Sequence, residues 1–294
     1  LGLIHLFNVY VVWSSTYLAI RFAVRPGAGF PPFTLGIYRF LTGAIILLAL
    51  AVIKKRRLLP TKQELIVMAA SGIMLLTIAN GMVTWAEQRA ESGLAAIIVA
   101  SIPIWSAIIE GVWDHKIPSR RLSVSLIVGF IGIAILAAPS LKTGVNADVL
   151  SILALIVASM SWAFGSYYQA RNPVKLHPHL SSAYQMIFGA VGFMILRILT
   201  NEPNPTPTTE AWIAYAYLAI FGSVIAFTSY ITALQILPTN IVMTYAYVNP
   251  VLAVLLGWAI LNEEITIFTI AGSLLVLIGV AGVFRDRKLS AEGS

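Results

Sequence analysis

The stretch Trp85-Ala86-Glu87-Gln88-Arg89-Ala90-Glu91-Ser92-Gly93-Leu94, running on to Ser101-Ile102-Pro103-Ile104, returns in altered form later in the chain. There it reads Thr232-Ala233-Leu234-Gln235-Ile236-Leu237-Pro238-Thr239-Asn240, running on to Val248-Asn249-Pro250-Val251. Ala86 and Ala233, Gln88 and Gln235, and Pro103 and Pro250 coincide at one offset of 147 residues, as do Gly132 and Gly279. Trp13 and Trp162 pair at nearly the same spacing. The chain therefore divides into two related halves, about 1–140 and 148–287.

The material of each half is apolar. Hydrophobic residues make up 59% of the 294 and charged residues only 11%, against roughly 25% charged in a soluble domain. A water-facing surface could not be covered with so little charge, whereas a lipid-facing one needs none. Crossing ~30 Å of hydrocarbon takes about 20 mostly apolar residues in a helix. Ten runs meet that length: about 3–22, 33–53, 65–86, 92–113, 121–138, 149–170, 180–199, 212–233, 239–261 and 267–285. Proline, glycine and charge punctuate them, at Arg25-Pro26-Gly27, Lys54 to Arg57, Arg120-Arg121, Asn172-Pro173 and Pro203 to Pro207. No loop is long enough for a folded domain outside the membrane. The first run lacks a cleavage pattern and continues too far for a signal peptide. The reading is an all-α polytopic membrane protein, ten transmembrane helices arranged as two five-helix repeats.

Five is odd, so the second half enters the bilayer from the opposite face. Inverted repeats of this kind place a substrate path between the halves, near the midplane. Orientation follows from lysine and arginine. With both termini cytoplasmic, the inner loops and tail hold Lys54, Lys55, Arg56, Arg57, Lys62, Lys116, Arg120, Arg121, Arg171, Lys175, Arg285, Arg287 and Lys288, the large majority of the nineteen. Arg21, Arg25, Arg89, Lys142 and Arg197 fall outside, and Arg39 lies within the second span. That asymmetry sets the topology of a bacterial inner-membrane protein.

Several function classes fall away. The net charge of +7 sits in short loops between spans, so it reads as membrane orientation rather than nucleic-acid binding. With no cysteine, disulfides, thiolate metal sites and cysteine nucleophiles are impossible. Of four histidines only His177 and His179 are close in sequence, which gives no metal-ligand pattern. No Ser/His, His/Glu or paired-carboxylate arrangement lies at one depth, so the chain reads as a non-enzyme without cofactor.

Taken in order, Tyr38-Arg39-Phe40, Gly93 to Pro103, Gly129-Phe130-Ile131-Gly132, Leu237-Pro238-Thr239, Asn249-Pro250, Asn262-Glu263-Glu264-Ile265-Thr266 and Gly272 to Gly279 resemble the EamA-type branch of the drug/metabolite transporter superfamily. The likeness covers nearly the whole chain. It implies ten spans, a central cavity, and export or exchange of metabolites, and within the superfamily the chain looks most like the aromatic amino-acid exporters. One departure stands out. Where the family carries a glutamate before the fifth span, this chain has Asp114-His115-Lys116-Ile117-Pro118.

Hydroxyls, amides and rings inside spans mark the path, since lipid has no use for them. Ser101 and Trp105 flank Pro103, and Tyr245 and Asn249 precede Pro250, each pair one turn apart. Proline removes a backbone donor and frees carbonyls in the preceding turn, so Pro103 and Pro250 are expected helix breaks beside the site. Trp13 and Tyr17 lie one turn apart in span 1, and Trp162 is the repeat partner of Trp13. Trp105 and Trp13 lie too deep for an interfacial belt. A cavity walled by such rings suits apolar or aromatic substrates. Arg39 and Glu110 are the intramembrane charges, read as anchor and candidate proton site respectively. Span 1 carries no acid, which argues against proton/cation antiport and for a facilitator. Gly129, Gly132, Gly272, Gly279 and Gly282 let helices approach closely, either inside the chain or in a homodimer, so monomer and homodimer both fit. The expected partners are a small-molecule substrate and the lipid bilayer. Other readings of the same fold are a carrier of drugs, a carrier of organophosphates or nucleotide sugars, which would need more cavity cations than Arg39, and a non-transporting scaffold. A reporter fused after Ser294 is expected to read cytoplasmic; a periplasmic signal would refute the topology.

Overall fold

Ten helices are long and apolar enough to cross a membrane: Gly2–Val24, Pro32–Ile53, Lys62–Ala86, Leu94–Trp113, Arg120–Pro139, Val149–Arg171, Pro178–Leu199, Thr209–Ile236, Thr239–Leu256 and Ile267–Asp286. We call them spans 1 to 10. The computed structural model describes all residues except 26, 87–91, 116, 143–148, 262–264 and 293–294, and gives the backbone alone at 17, 21, 92–93, 140–142, 257, 260–261 and 287–292. Tyr17 thus lies outside the described side chains, as do Glu263 and Glu264. Among the described residues there is no strand.

Local chemistry sets the span ends. Pro32 and Pro178 stand in the first turns of spans 2 and 7, where a missing N–H is harmless. Thr61 and Glu64 form a reciprocal capping box at the start of span 3. Spans 2, 4 and 7 each end two residues before a left-handed turn residue, at Lys55, His115 and Asn201 (φ 49°, 52° and 49°). Outside, the spans present large apolar side chains such as Ile45, Ile127, Ile195 and Ile278, as a hydrocarbon solvent requires.

Polar ties between loops fix which ends share a face. Arg171, ending span 6, pairs with Asp114, ending span 4. Glu64, opening span 3, accepts from Lys175 N after span 6 (3.1 Å). Ser119, before span 5, bonds Asp286 at the end of span 10. On the other face Glu202 caps span 2, accepting from Phe33 N and Thr34 N at 2.8 and 2.9 Å, and Arg25 pairs with Glu210 at the start of span 8. Both termini therefore share one face. Span 3 starts there, while its counterpart, span 8, starts on the opposite face. The halves are inverted.

The interior follows the same two-fold relation. Span 1 packs on spans 8 and 9, and span 6 packs on spans 3 and 4; spans 2 and 7 pack on each other, as do spans 5 and 10. The last pair is closed by glycine. A Cβ on Gly132 would stand 2.8 Å from Gly272 O, and one on Gly279 would stand 2.6 Å from Gly129 N. Gly282 abuts Ser125 in the same seam. These glycines serve contact between the halves.

Two departures from regular α-helix recur at matching places. Residues Ile73–Asn80 of span 3 and Leu218–Phe227 of span 8 are π-helical. Spans 4 and 9 are each interrupted. Helix Ser92–Val99 stops before Ile102–Trp113, and Thr239–Met243 stops before Tyr245–Leu261. Pro103 lies just after the first interruption. The second falls at Thr244, and Pro250 lies inside the following helix. The break expected at Pro250 thus sits six residues earlier, where Thr244 Oγ1 satisfies Ile241 O.

Adding one methyl to the glycine seam should be costly. Gly279→Ala is expected to destabilise the protein by about 1–3 kcal/mol, read as a lower melting temperature in detergent. Ile131→Ala, on the exposed side of span 5, should leave it nearly unchanged.

Candidate functional site

Between the halves lies a cavity of about 100 Å³. Its described wall takes Trp13, Thr16 and Ile20 from span 1, Arg39 and Phe40 from span 2, and Leu76, Ala79, Asn80, Val83 and Thr84 from span 3. Val99, Ile102, Ala158, Ser159, Trp162, Gly222, Phe227, Tyr245 and Asn249 also line it. Spans 2, 4, 6 and 8 start on the face opposite the termini, and their contributions come from their first halves or middles. Spans 1 and 3 end on that face and contribute their later residues. The cavity therefore extends from the midplane towards the face opposite the termini.

Its floor is four rings. Trp13 lies 5.5 Å from Trp162, 5.1 Å from Tyr230 and 5.0 Å from Tyr245, and Trp162 lies 5.4 Å from Tyr230. Trp162 Nε1 donates to Tyr230 Oη (2.9 Å), which also bonds Ser166 Oγ. Trp13 Nε1 donates to Gly222 O (3.2 Å). Beneath the rings, Tyr10 Oη bonds Thr244 Oγ1 at the span 9 interruption. Asn249, with its amide oriented to donate, reaches Tyr245 O and Tyr10 O at 3.1 and 3.2 Å. The Trp13 and Trp162 indole nitrogens and the Tyr230 and Tyr10 hydroxyls are all partnered, as burial demands, so rings and hydrogen bonds together close the cavity towards the termini.

The π-helical segments shape the walls. A π turn widens the helix, and such turns cluster at functional sites. In span 8 it sets Gly222 against Trp13 and Ser223 against Arg39. Arg39 Nε donates to Ser223 Oγ (2.8 Å), and its guanidinium stands 5.1 Å over the Phe40 ring. A Cβ on Gly222 would meet Arg39 Nη2 at 3.0 Å, so the glycine makes the room this cation occupies. In span 3 the π segment delivers Asn80 to the cavity, its Nδ2 donating to Leu75 O five residues back (3.2 Å). Thr84, one turn on, bonds Asn80 O.

Of the sequence candidates, Trp13, Trp162, Tyr245, Asn249 and Arg39 meet at this cavity. Ser101 and Trp105 are not in its lining. Ser101 Oγ bonds Ile98 O at the span 4 interruption, and Trp105 packs half-buried against the core. Glu110 is half-buried further along span 4, also off the wall. Asp114, standing near where the family carries a glutamate, ties span 4 to Arg171 and to Tyr167 Oη (2.8 Å). Thr16, Asn80, Thr84 and Gly222 were not singled out by sequence. The spacing of Asn80 and Thr84, polar and four apart in an apolar run, was the available signal.

A ten-span bundle of two inverted halves around a central, ring-floored cavity is the architecture of a membrane carrier. The description "EamA-like transporter family" matches the chain twice, over residues 1–138 and 149–285, and the chain belongs to that family. It is 34% identical to the "Uncharacterized inner membrane transporter YedA" of Escherichia coli K12 over 89% of this chain and 83% of that one. Transporter YoaV of Bacillus subtilis is 22% identical over 93% of each chain. A chloroplastic WAT1-related protein of Arabidopsis thaliana is 22% identical over 94% of this chain and 67% of its own. A solved crystal structure covering 98% of both chains superposes with a TM-score of 0.80 at 19% identity, a likeness of fold.

The absence of natural cysteine makes the sidedness measurable. Thr84→Cys is expected to react with a membrane-impermeant maleimide added at the face opposite the termini, and Ser166→Cys, beneath the rings, to be protected from both faces. Labelling of Thr84→Cys only from the termini face would reverse the assignment.

Proposed function

We propose that the protein is an inner-membrane carrier of small metabolites, with aromatic or apolar amino acids as its substrates, working as an exporting facilitator. The observation that carries this reading is the cavity itself: a small chamber between inverted halves, walled by rings and closed at one end. Rings bind apolar and aromatic groups by stacking, and a few polar groups then fix orientation. A volume of about 100 Å³ is well below the roughly 300–1,000 Å³ of drug-sized pockets. It favours metabolites over drugs, and a larger amino acid would require the floor rings to part. The lysine and arginine distribution supports cytoplasmic termini. The cavity would then face outward in this state, and loading would come from the cytoplasmic side as Trp13 separates from Trp162, Tyr230 and Tyr245. No Asp or Glu is found in the described cavity wall, which supports transport down the substrate gradient without proton exchange.

Counterflow in proteoliposomes against a panel of amino acids, sugars, nucleotides and cations tests this. Amino-acid exchange is expected without an imposed proton gradient. Trp162→Ala should slow it about tenfold, equivalent to about 1.4 kcal/mol, while leaving expression normal. An unchanged rate in that variant would remove the cavity from the path, and a strict need for a proton gradient would refute the facilitator.

A further inference from the structure

Among the described residues, Arg39 has no counter-charge. The ion pairs among the described residues are Arg25–Glu210, Arg57–Glu64 and Arg171–Asp114, all at span ends. Among the described residues, the hydrogen-bond partner of Arg39 is a neutral hydroxyl, Ser223 Oγ, on its Nε. Guanidinium has five donors in a planar fork and stays protonated in proteins. A purely structural anchor in a low-dielectric interior would be expected to use the fork on carbonyls or a carboxylate. Here the fork borders the cavity instead, steadied from behind by Phe40 and given its space by Gly222. The other polar groups of the described wall, including Thr16, Asn80, Thr84, Ser159 and Asn249, are neutral.

We propose that Arg39 binds the carboxylate of the transported molecule, so that the carrier selects substrates by that group and reads the remainder through the rings. This rests on the carrier reading and deepens it. One guanidinium matches one carboxylate in a two-point contact. A phosphate would call for a second cation, and the described wall has none. The ammonium of an amino acid needs no acid in the wall either, since the faces of Trp13 and Trp162 attract cations. Asn80 and Thr84 stand on the same wall to accept hydrogen bonds from it. An amino acid and a simple organic acid share the carboxylate, and the probes separate them.

The test is equilibrium binding to purified protein in detergent, read by tryptophan fluorescence and thermal shift, alongside counterflow in liposomes. The probes are L-valine, L-phenylalanine, their carboxamides, and benzoate. Wild type is expected to bind at least one acid no less than tenfold more tightly than its carboxamide. Benzoate as the sole ligand would assign an organic acid, and binding of the amino acids would assign a zwitterion; either keeps the proposal. Arg39→Gln should erase the preference for the acid while changing affinity for the carboxamide less than twofold. Gly222→Ala, which crowds the guanidinium, should weaken acid binding with the charge retained, and it stands in if Arg39→Gln fails to fold. Equal losses for acid and carboxamide would make Arg39 a structural strut, and no binding of any carboxylate by wild type would likewise overturn the proposal. Glu87 and Glu91, in the segment after span 3, lie outside the described residues. A tenfold gain in carboxylate affinity on Glu87→Gln or Glu91→Gln would make the guanidinium an internal ion pair and also overturn it. Carboxylate binding that depends on Arg39 without any flux would leave the proposal standing and refute the carrier.

Discussion

A peptide group in hydrocarbon has no water to turn to, and the architecture depends on that constraint. Spans can be irregular only where protein or a polar chamber takes up the freed backbone groups. The irregularities here obey it. Ile98 O, released at the span 4 interruption, is met by Ser101 and by Ser159 across the interface (3.1 Å). The span 9 interruption is met by Thr244 and Tyr10. The π segments of spans 3 and 8 both border the cavity. Regular helix faces lipid, and irregular helix gathers at the centre, where a carrier must bind and later release its cargo.

The glycine seam is the complement of that flexible centre. Spans 5 and 10 touch backbone to backbone at Gly132, Gly272 and Gly279, with the Val276 side chain against Gly132 and the Ser125 side chain against Gly282, away from the cavity. Small residues at such a crossing leave little to interlock, so it tolerates tilting. Around it, spans 1 and 6 bring their tryptophans together in the cavity floor. The seam therefore suits a pivot, with the ring cluster as the part that must open.

The spans were legible in the sequence because the bilayer dictates their length and composition, and the expected limits fall within a few residues of those observed. The inversion was legible as well, because it follows from counting five. The rotation of each helix about its own axis was not. Trp105, deep in span 4, packs against the core and is not among the residues lining the cavity. The π segments left no mark in the residue pattern. Their extra width depends on neighbours such as Arg39 packing against Gly222, a tertiary fact. Pro250 misled for a related reason: a helix can pass through proline, and the chain breaks where a hydroxyl waits to satisfy it.

The four-ring floor has no twin. At the spacing that pairs Pro103 with Pro250, Tyr230 and Tyr245 correspond to Val83 and Ile98. In the opposite state the mirror-image closure would contain those two aliphatic residues in place of hydroxylated rings. If the proposed carrier alternates between two closures, their unlike composition gives them different free energies, and the empty molecule would favour one orientation. Duplication would then supply the mechanical symmetry, and divergence of a few side chains a resting position.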